Sequence, residues 1–139
     1  MSTEEIKANA SRIIEEAVNK GNMAVLDEIL SPNYVYHNPR GDIKGPVGLK
    51  QFFTMLRTSC PDLDASIEDM IAEGNMVAYR FTLRGTFIGE MMGMAPTGNQ
   101  FAYPEAHFVR FEDGKEVEEW PYADSLSLYK QLGVTPPGQ

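Results

Sequence analysis

Two side chains in the last third of the chain have the types and the spacing that proton transfer requires. Glu105 and His107 lie two residues apart, and Val109 follows at the same interval. Alternate residues of a β-strand point to the same face of the sheet, so we expect the carboxyl group and the imidazole to be neighbours. Inside an apolar pocket such a pair transfers protons near neutral pH. On the outer face of a sheet it would instead form a partly exposed ion pair.

Asp124 is a second acid–base candidate, because it follows the last predicted strand and lies where that strand reaches the edge of a pocket. It also precedes Ser125, at the start of a predicted helix, where aspartate is a common N-cap. Both interpretations, a general acid or base and a helix cap, remain open from the sequence.

Other residues are candidates for shaping a pocket around these groups. His37 follows Tyr36 in a short aromatic run and is either a pocket residue or a histidine in a turn. Met91 and Met94 belong to a methionine-rich segment, and methionine fills irregular apolar space, so they line a pocket, pack in the core or contact a second subunit. The acidic pair Glu118-Glu119 is predicted to lie on a solvated face.

The sequence argues against several other kinds of site. His37 and His107 do not form a helical His-x-x-x-His pair, and Cys60 has no second cysteine, so neither a zinc site nor a disulfide is expected. No glycine-rich loop of the phosphate-binding kind joins a strand to a helix. We therefore expect neither a metal nor a cofactor.

The composition describes one acidic globular domain. The chain has 139 residues, and its 12 basic and 20 acidic residues give a formal net charge of -8. Nucleic acids and anionic membranes bind basic surfaces, so neither is an expected partner. No apolar run reaches the roughly 18–20 residues of a membrane span, and the polar first 20 residues do not resemble a signal peptide. We expect a single domain over residues 1–139, with a loose tail at 134–139, in the cytoplasm.

Helical spacing of apolar residues marks the first part of the chain, and an alternating pattern follows from residue 64. Helices are predicted over 2–20, with a capping box at Ser2 and Glu5, over 22–30, with Asn22 as the cap, and over 45–59. Strands are predicted over 34–37, 64–72, 77–84, 100–111 and 116–120, with a bulge or bend at Gly85, and a short helix over 125–132 ends the domain.

Helices followed by a meander of strands are the order of an α+β fold. We expect a cone-shaped barrel in which a curved, mostly antiparallel sheet wraps around the N-terminal helices. The outer face of such a sheet needs cover, so the chain is expected to form a homodimer through its sheet faces. The interior of the cone would form an apolar pocket.

These segments together resemble the SnoaL-like polyketide cyclases, or ester cyclases, of the nuclear transport factor two-like superfamily. The resemblance covers roughly residues 5–133. Its motifs are Pro32–His37, Lys44–Pro46, Gly85-Thr86, Gly89–Gly98, Glu105–Arg110, Asp113–Lys115, Trp120, Asp124 and Gln131–Gly133.

The resemblance implies a cone-shaped dimeric fold and a ring closure by intramolecular aldol condensation of polyketide esters, without a cofactor. In this family a histidine lines the site, and His107 matches it. An aspartate near the end of the last strand acts as general acid and base, and Pro121 stands at its position here. Asp124, three residues later, matches a second aspartate that these proteins share.

The leading hypothesis is a cofactor-free enzyme that removes a proton beside the carbonyl of a small apolar substrate and stabilises the enolate. His107 would transfer the proton or donate a hydrogen bond to the enolate, with Glu105 orienting it and Asp124 as a second acid or base. The residues expected to shape the pocket and bind the substrate are His37, Tyr36, Trp120, Met91 and Met94. The alternatives are a small-molecule-binding protein without catalysis, and a hydrolase or dehydratase whose water is held by Asp124.

Overall fold

The computed structural model describes residues 1–136, which form helices and one six-stranded sheet. The helices are α1 (Thr3–Arg12), α2 (Ala24–Ile29), α3 (Gly45–Ser59) and α4 (Ser125–Leu132), and a π-helical segment, Ile13–Val18, continues α1. The strands are β1 (Leu30–Tyr36), β2 (Ile43–Lys44), β3 (Asp64–Glu73), β4 (Met76–Thr86), β5 (Gln100–Glu112) and β6 (Lys115–Ala123). Of the predicted loose tail, residues 137–139 lie outside the described part of the chain.

The sheet has the order β2-β1-β6-β5-β4-β3, and neighbouring strands are antiparallel except for β1 and β6, which are parallel. The N-terminal helices and α3 pack against one face of this curved sheet, and α4 packs against β5. The predicted α+β fold, with a curved sheet around N-terminal helices and a short C-terminal helix, is confirmed. Within residues 1–136, no helix combines the length and the apolar character needed to cross a membrane.

The first helix begins as predicted, with a capping box. The Ser2 hydroxyl accepts a hydrogen bond from the Glu5 N–H at 3.1 Å, and the Glu5 carboxylate accepts one from the Ser2 N–H at 3.3 Å. These bonds satisfy N–H groups that have no partner within the helix. The helix does not continue regularly to Lys20, because the π-helical segment replaces its later turns and buries four apolar side chains.

Three short features differ from the predictions. Asn22 does not cap the second helix, which begins at Ala24 after Met23 and has no side-chain cap. The first strand begins at Leu30 rather than Tyr34, because pairing with β6 extends it beyond the aromatic run. The two-residue strand β2 pairs with the end of β1 and is too short to produce a pattern in the sequence.

The strand β4 builds a large part of the inner face of the sheet. Its alternate side chains are buried, as predicted, at Val77, Tyr79, Phe81 and Leu83. The bulge predicted at Gly85 is wrong, since the pairing of β4 with β5 continues without a shift through this residue. A Cβ atom at Gly85 would lie 2.9 Å from the facing aromatic ring of β5, so close packing favours glycine here.

Candidate active site

A cavity of about 530 Å³ lies between the inner face of the sheet and the helices. Most of its lining is apolar or aromatic and includes Ile14, Phe52, Leu56, Phe81, Leu83 and Phe101. The ionisable side chains that line it among the described residues, tyrosines and Cys60 apart, are Arg40, Glu105, His107 and Glu119. An apolar cavity with a few converging polar groups is the usual form of a small-molecule site.

Three of these groups form one hydrogen-bonded cluster, which we call the Glu–His–Glu cluster: Glu105, His107 and Glu119. The His107 ring places Nε2 2.8 Å from Glu105 Oε1 and Nδ1 2.5 Å from Glu119 Oε2. A neutral imidazole has one N–H group, whereas an imidazolium has two and can donate to both carboxyl groups at once. The geometry therefore favours a protonated His107 between two acids.

The strands position the cluster through their registers. Glu105 and His107 lie on the same face of β5, as the alternation predicts, and this face points inward, with His107 only 4% exposed. Glu119 comes from the neighbouring strand β6 and is also buried. Adjacent strands lie less than about 5 Å apart, so the two acids reach the same imidazole from different directions.

Buried tyrosines donate to both carboxyl groups. The Tyr34 hydroxyl donates to Glu119 Oε1 at 2.7 Å, and the Tyr79 hydroxyl lies 3.4 Å from Oε2. The Tyr103 hydroxyl donates to Glu105 Oε2 at 2.6 Å. Burial, and then the nearby carboxylate charges, raises the pKa of all three tyrosines, so they remain donors.

The charge of the cluster follows from a competition between burial and hydrogen bonding. Burial alone would lower the pKa of His107, because desolvation disfavours the imidazolium. The hydrogen bonds to Glu105 and Glu119 outweigh this effect and raise the pKa of His107 to about 9. The imidazolium is thus the main form at neutral pH.

Tyr36 provides a hydroxyl that remains available to a ligand. The residue lines the cavity, is 6% exposed, and its ring centroid lies 6.0 Å from that of His107. Burial, followed by the charges of Glu105 and Glu119, raises the pKa of Tyr36 well above its usual value. Its hydroxyl makes no hydrogen bond within residues 1–136, so it can donate to a bound molecule.

Glu119 was missed by the sequence analysis, and its predicted exposure is wrong. A bulge at Val117 adds one residue to β6 between the pairs Arg110–Glu118 and Phe111–Glu116, so the period of two is broken there. One signal was available: Glu119 lies two residues before Pro121, a position that the family resemblance places in the pocket.

The same bulge also buries Glu116, which is 1% exposed. Its Oε2 has no hydrogen-bond partner within the described residues. Burial, and then repulsion from Glu119, raises the pKa of Glu116 well above its ordinary value, because both effects disfavour the charged carboxylate. It lies outside the cavity lining and beside the cluster.

The structure does not bring Asp124 into the cavity. Its side chain is exposed, and Oδ1 accepts a hydrogen bond from the Ser127 N–H at 3.0 Å, as the N-cap of α4. Pro121, in contrast, lines the cavity and pairs with His107 across the strands. The structure thus supports the cap interpretation of Asp124.

The residues predicted to shape the pocket are divided between two places. Tyr36 and Met91 line the cavity, whereas Met94 is half-buried and pairs with Met91 without lining it. His37 and Trp120 do not line it either: their rings stack with centroids 5.4 Å apart on the outer face of the sheet. Trp120 points outward because it alternates with Glu119 and Pro121, which point inward.

Two acids and a histidine in one cavity are residue types that can also bind a metal ion. Among residues 1–136, no group of three or more His, Cys, Asp or Glu side chains has an arrangement that could hold a metal ion. The acids instead contact His107 directly.

Comparison with known proteins gives consistent results. The family model of the SnoaL-like polyketide cyclases matches residues 8–132. The chain is 33% identical over 113 residues to an aklanonic acid methyl ester cyclase of Streptomyces sp. (strain C5), covering 78% of this chain and 67% of that protein. A nogalonic acid methyl ester cyclase of Streptomyces nogalater is 30% identical over 125 residues, covering 84% and 90%. The solved structure of TsrD from Streptomyces laurentii superposes with a TM-score of 0.88 at 25% identity, covering 97% and 99%.

Proposed function

Since the chain belongs to the SnoaL-like polyketide cyclase family, we propose that it closes a ring in an apolar carbonyl substrate by acid–base chemistry at the Glu–His–Glu cluster. One observation carries this proposal: a buried imidazole lies between two carboxyl groups at the wall of an otherwise apolar cavity. The two relatives named as methyl ester cyclases support a carbonyl compound that carries an ester as the substrate class.

Glu105 is the group best placed to remove a proton. Both nitrogens of His107 are already hydrogen-bonded to carboxyl oxygens, whereas the Glu105 side chain retains 12% exposure towards the cavity. We therefore assign the base to Glu105 and a positioning role to His107, which reverses the roles expected from the sequence. Glu119 holds the imidazolium in place from the opposite side.

The steps of an aldol closure can be assigned to these groups. Glu105 takes a proton from the carbon beside a carbonyl and becomes a neutral acid, while the carbonyl becomes an enolate. The Tyr36 hydroxyl donates a hydrogen bond to the enolate oxygen, as an oxyanion donor does. The enolate carbon then attacks a second carbonyl of the same molecule, and Glu105 returns its proton to the new alkoxide. No net proton is gained or lost.

This assignment explains how a cyclase can function with Pro121. Proline cannot exchange a proton, but the cavity contains another carboxyl group, Glu105, on the strand that faces Pro121. A ligand-binding protein without catalysis is the second candidate, and Pro121 is the observation that favours it. The hydrolase or dehydratase has less support, because Asp124 does not line the cavity.

The proposal can be tested with a model ketone, 2-acetonaphthone, in D₂O. We expect the protein to accelerate exchange of the acetyl protons, measured by NMR, and Glu105→Gln to lose at least about a hundredfold of that acceleration. The matched control is Asp124→Asn, which retains the helix cap and should retain the rate. Binding of the ketone without accelerated exchange would favour the non-catalytic candidate, and a large loss in Asp124→Asn would return the catalytic role to that residue.

A further inference from the structure

The mouth of the cavity has a chemistry opposite to that of its acidic wall. We define the mouth by the exposed residues of the lining: Pro39, Arg40, Met92, Ala123 and Ser125. Arg40 supplies the one permanent positive charge of the lining within the described residues. On the premise of the proposed function, we propose that this mouth binds a carboxylate of the substrate through Arg40, with the Tyr129 hydroxyl as a second donor.

Arg40 is held in place by neutral partners. Its Nη2 donates to the Tyr129 hydroxyl, and its Nη1 lies 3.3 Å from the sulfur of Met92. Its guanidinium carbon lies 5.6 Å from the centroid of the Tyr129 ring, in a cation–π contact. Within residues 1–136, no carboxylate lies within 4.0 Å of the Arg40 guanidinium.

Three of the five other arginines differ from Arg40 in this respect, whereas Arg57 and Arg84 also bond to neutral oxygens but do not line the cavity. Arg12, Arg80 and Arg110 each form ion pairs with acidic side chains of the chain itself. A guanidinium has five N–H donors in a planar fork that fits a carboxylate, and two neutral partners leave some of them available. Arg40 is therefore positioned by the protein without being neutralised by it.

Tyr129 adds a second donor at the same place. Its oxygen accepts from Arg40, so its own hydrogen is directed elsewhere, and it has no acceptor among the described residues. The side chain is buried and lines the cavity. A carboxylate at the mouth would thus receive hydrogen bonds from both Arg40 and Tyr129.

The negative charges on the inner wall of the cavity determine how a substrate with a carboxylate would be oriented. Glu105 and Glu119 lie on the inner wall and disfavour an anion there, and the chain as a whole has a net charge of -8. A substrate acid therefore binds with its carboxylate at Arg40 and its apolar, carbonyl-bearing part towards Glu105. The expected substrate class is an apolar carbonyl compound with a free carboxylate at the end that faces the mouth, in contrast to the methyl esters in the names of the two relatives.

A matched pair of fluorescent probes tests the inference without a known substrate. Anthracene-2-carboxylate should bind about tenfold more tightly than its methyl ester, a difference of about 1.4 kcal/mol, because only the acid forms a charged hydrogen bond with Arg40. Arg40→Met should remove the difference. Arg84→Met removes the same charge from the outer face of the sheet and should leave the difference unchanged.

The outcomes separate this inference from the function on which it rests. Equal binding of the acid and the ester, or a preference that survives in Arg40→Met, would overturn the carboxylate site and leave the apolar cavity and its chemistry intact. A failure of both probes to bind would contradict the cavity as a ligand site, and the carboxylate site with it.

Discussion

The two histidines of this protein occupy almost the same kind of local arrangement on opposite faces of one sheet. His107 lies between Glu105 and Glu119, whereas His37 lies between Glu118 at 2.8 Å and Asp42 at 3.4 Å. The side chain of His107 is 5% exposed and that of His37 is 32% exposed. Two acids beside an imidazole therefore do not by themselves make an active site.

Burial and access to the cavity distinguish the two arrangements. Around His37, water competes for the same hydrogen bonds and screens nearby charges, so these contacts contribute little to stability. Around His107, the groups have no alternative partners, and each lost contact leaves a polar group without compensation. Successive side chains of β6 point to opposite faces of the sheet. Glu118 therefore contacts His37 on the outer face, and the adjacent Glu119 contacts His107 on the inner face.

The largest expected difference is in stability. Replacing His107 by leucine leaves two carboxyl groups buried without their shared donor, which should lower the free energy of unfolding by about 3–5 kcal/mol. His37→Leu removes a half-buried partner that water can replace, and should cost at most about 1 kcal/mol. Urea unfolding of the two variants measures both effects, and equal losses would contradict the distinction that we draw between the faces.

A smaller effect is expected in the pH dependence of stability. The folded state binds a proton at His107 with a pKa of about 9, against a usual value of 6.5. Between these values the folded state binds more protons than the unfolded state, so stability is lost as the pH rises. The loss should reach up to about 3 kcal/mol between pH 6.5 and 9, since one pKa unit is about 1.4 kcal/mol.

The variants again separate the two faces. His37→Gln should retain the decrease in stability above pH 6.5, and His107→Gln should remove most of it. Glu116 contributes a decrease of the same sign from its ordinary pKa of 4.5 upwards, and it does so in both variants. If the decrease in stability above pH 6.5 disappeared in His37→Gln, the assignment of this decrease to His107 would be contradicted.

The comparison also shows what local sequence patterns can and cannot predict. The alternation along a regular strand places Glu105 and His107 on one face, and the family resemblance predicts that this face is the inner one. The cap at Asp124 is one of the two interpretations that its residue type and position allowed. The position of Glu119 depends on an extra residue, Val117, and thus on how β6 pairs with β5. That pairing is a property of two strands, and neither strand alone encodes it.

The pocket residues show the same limit. Tyr36 and His37 are adjacent, and the sequence predicted both for the pocket, but adjacent residues of an extended segment point in opposite directions. Trp120 was also expected in the pocket, although Pro121 next to it is the residue that lines the cavity. Arg40 lies in a turn, where no periodicity indicates its direction.

The central claim, a protonated His107 held between two acids, is tested most directly by ¹⁵N NMR of the imidazole nitrogens. The chain has two histidines, so a His37→Gln variant assigns the signals without ambiguity. We predict that both nitrogens of His107 have imidazolium shifts at pH 7.5 and titrate with a pKa of about 9. A neutral His107 ring at pH 7.5, with one protonated and one unprotonated nitrogen, would contradict the account.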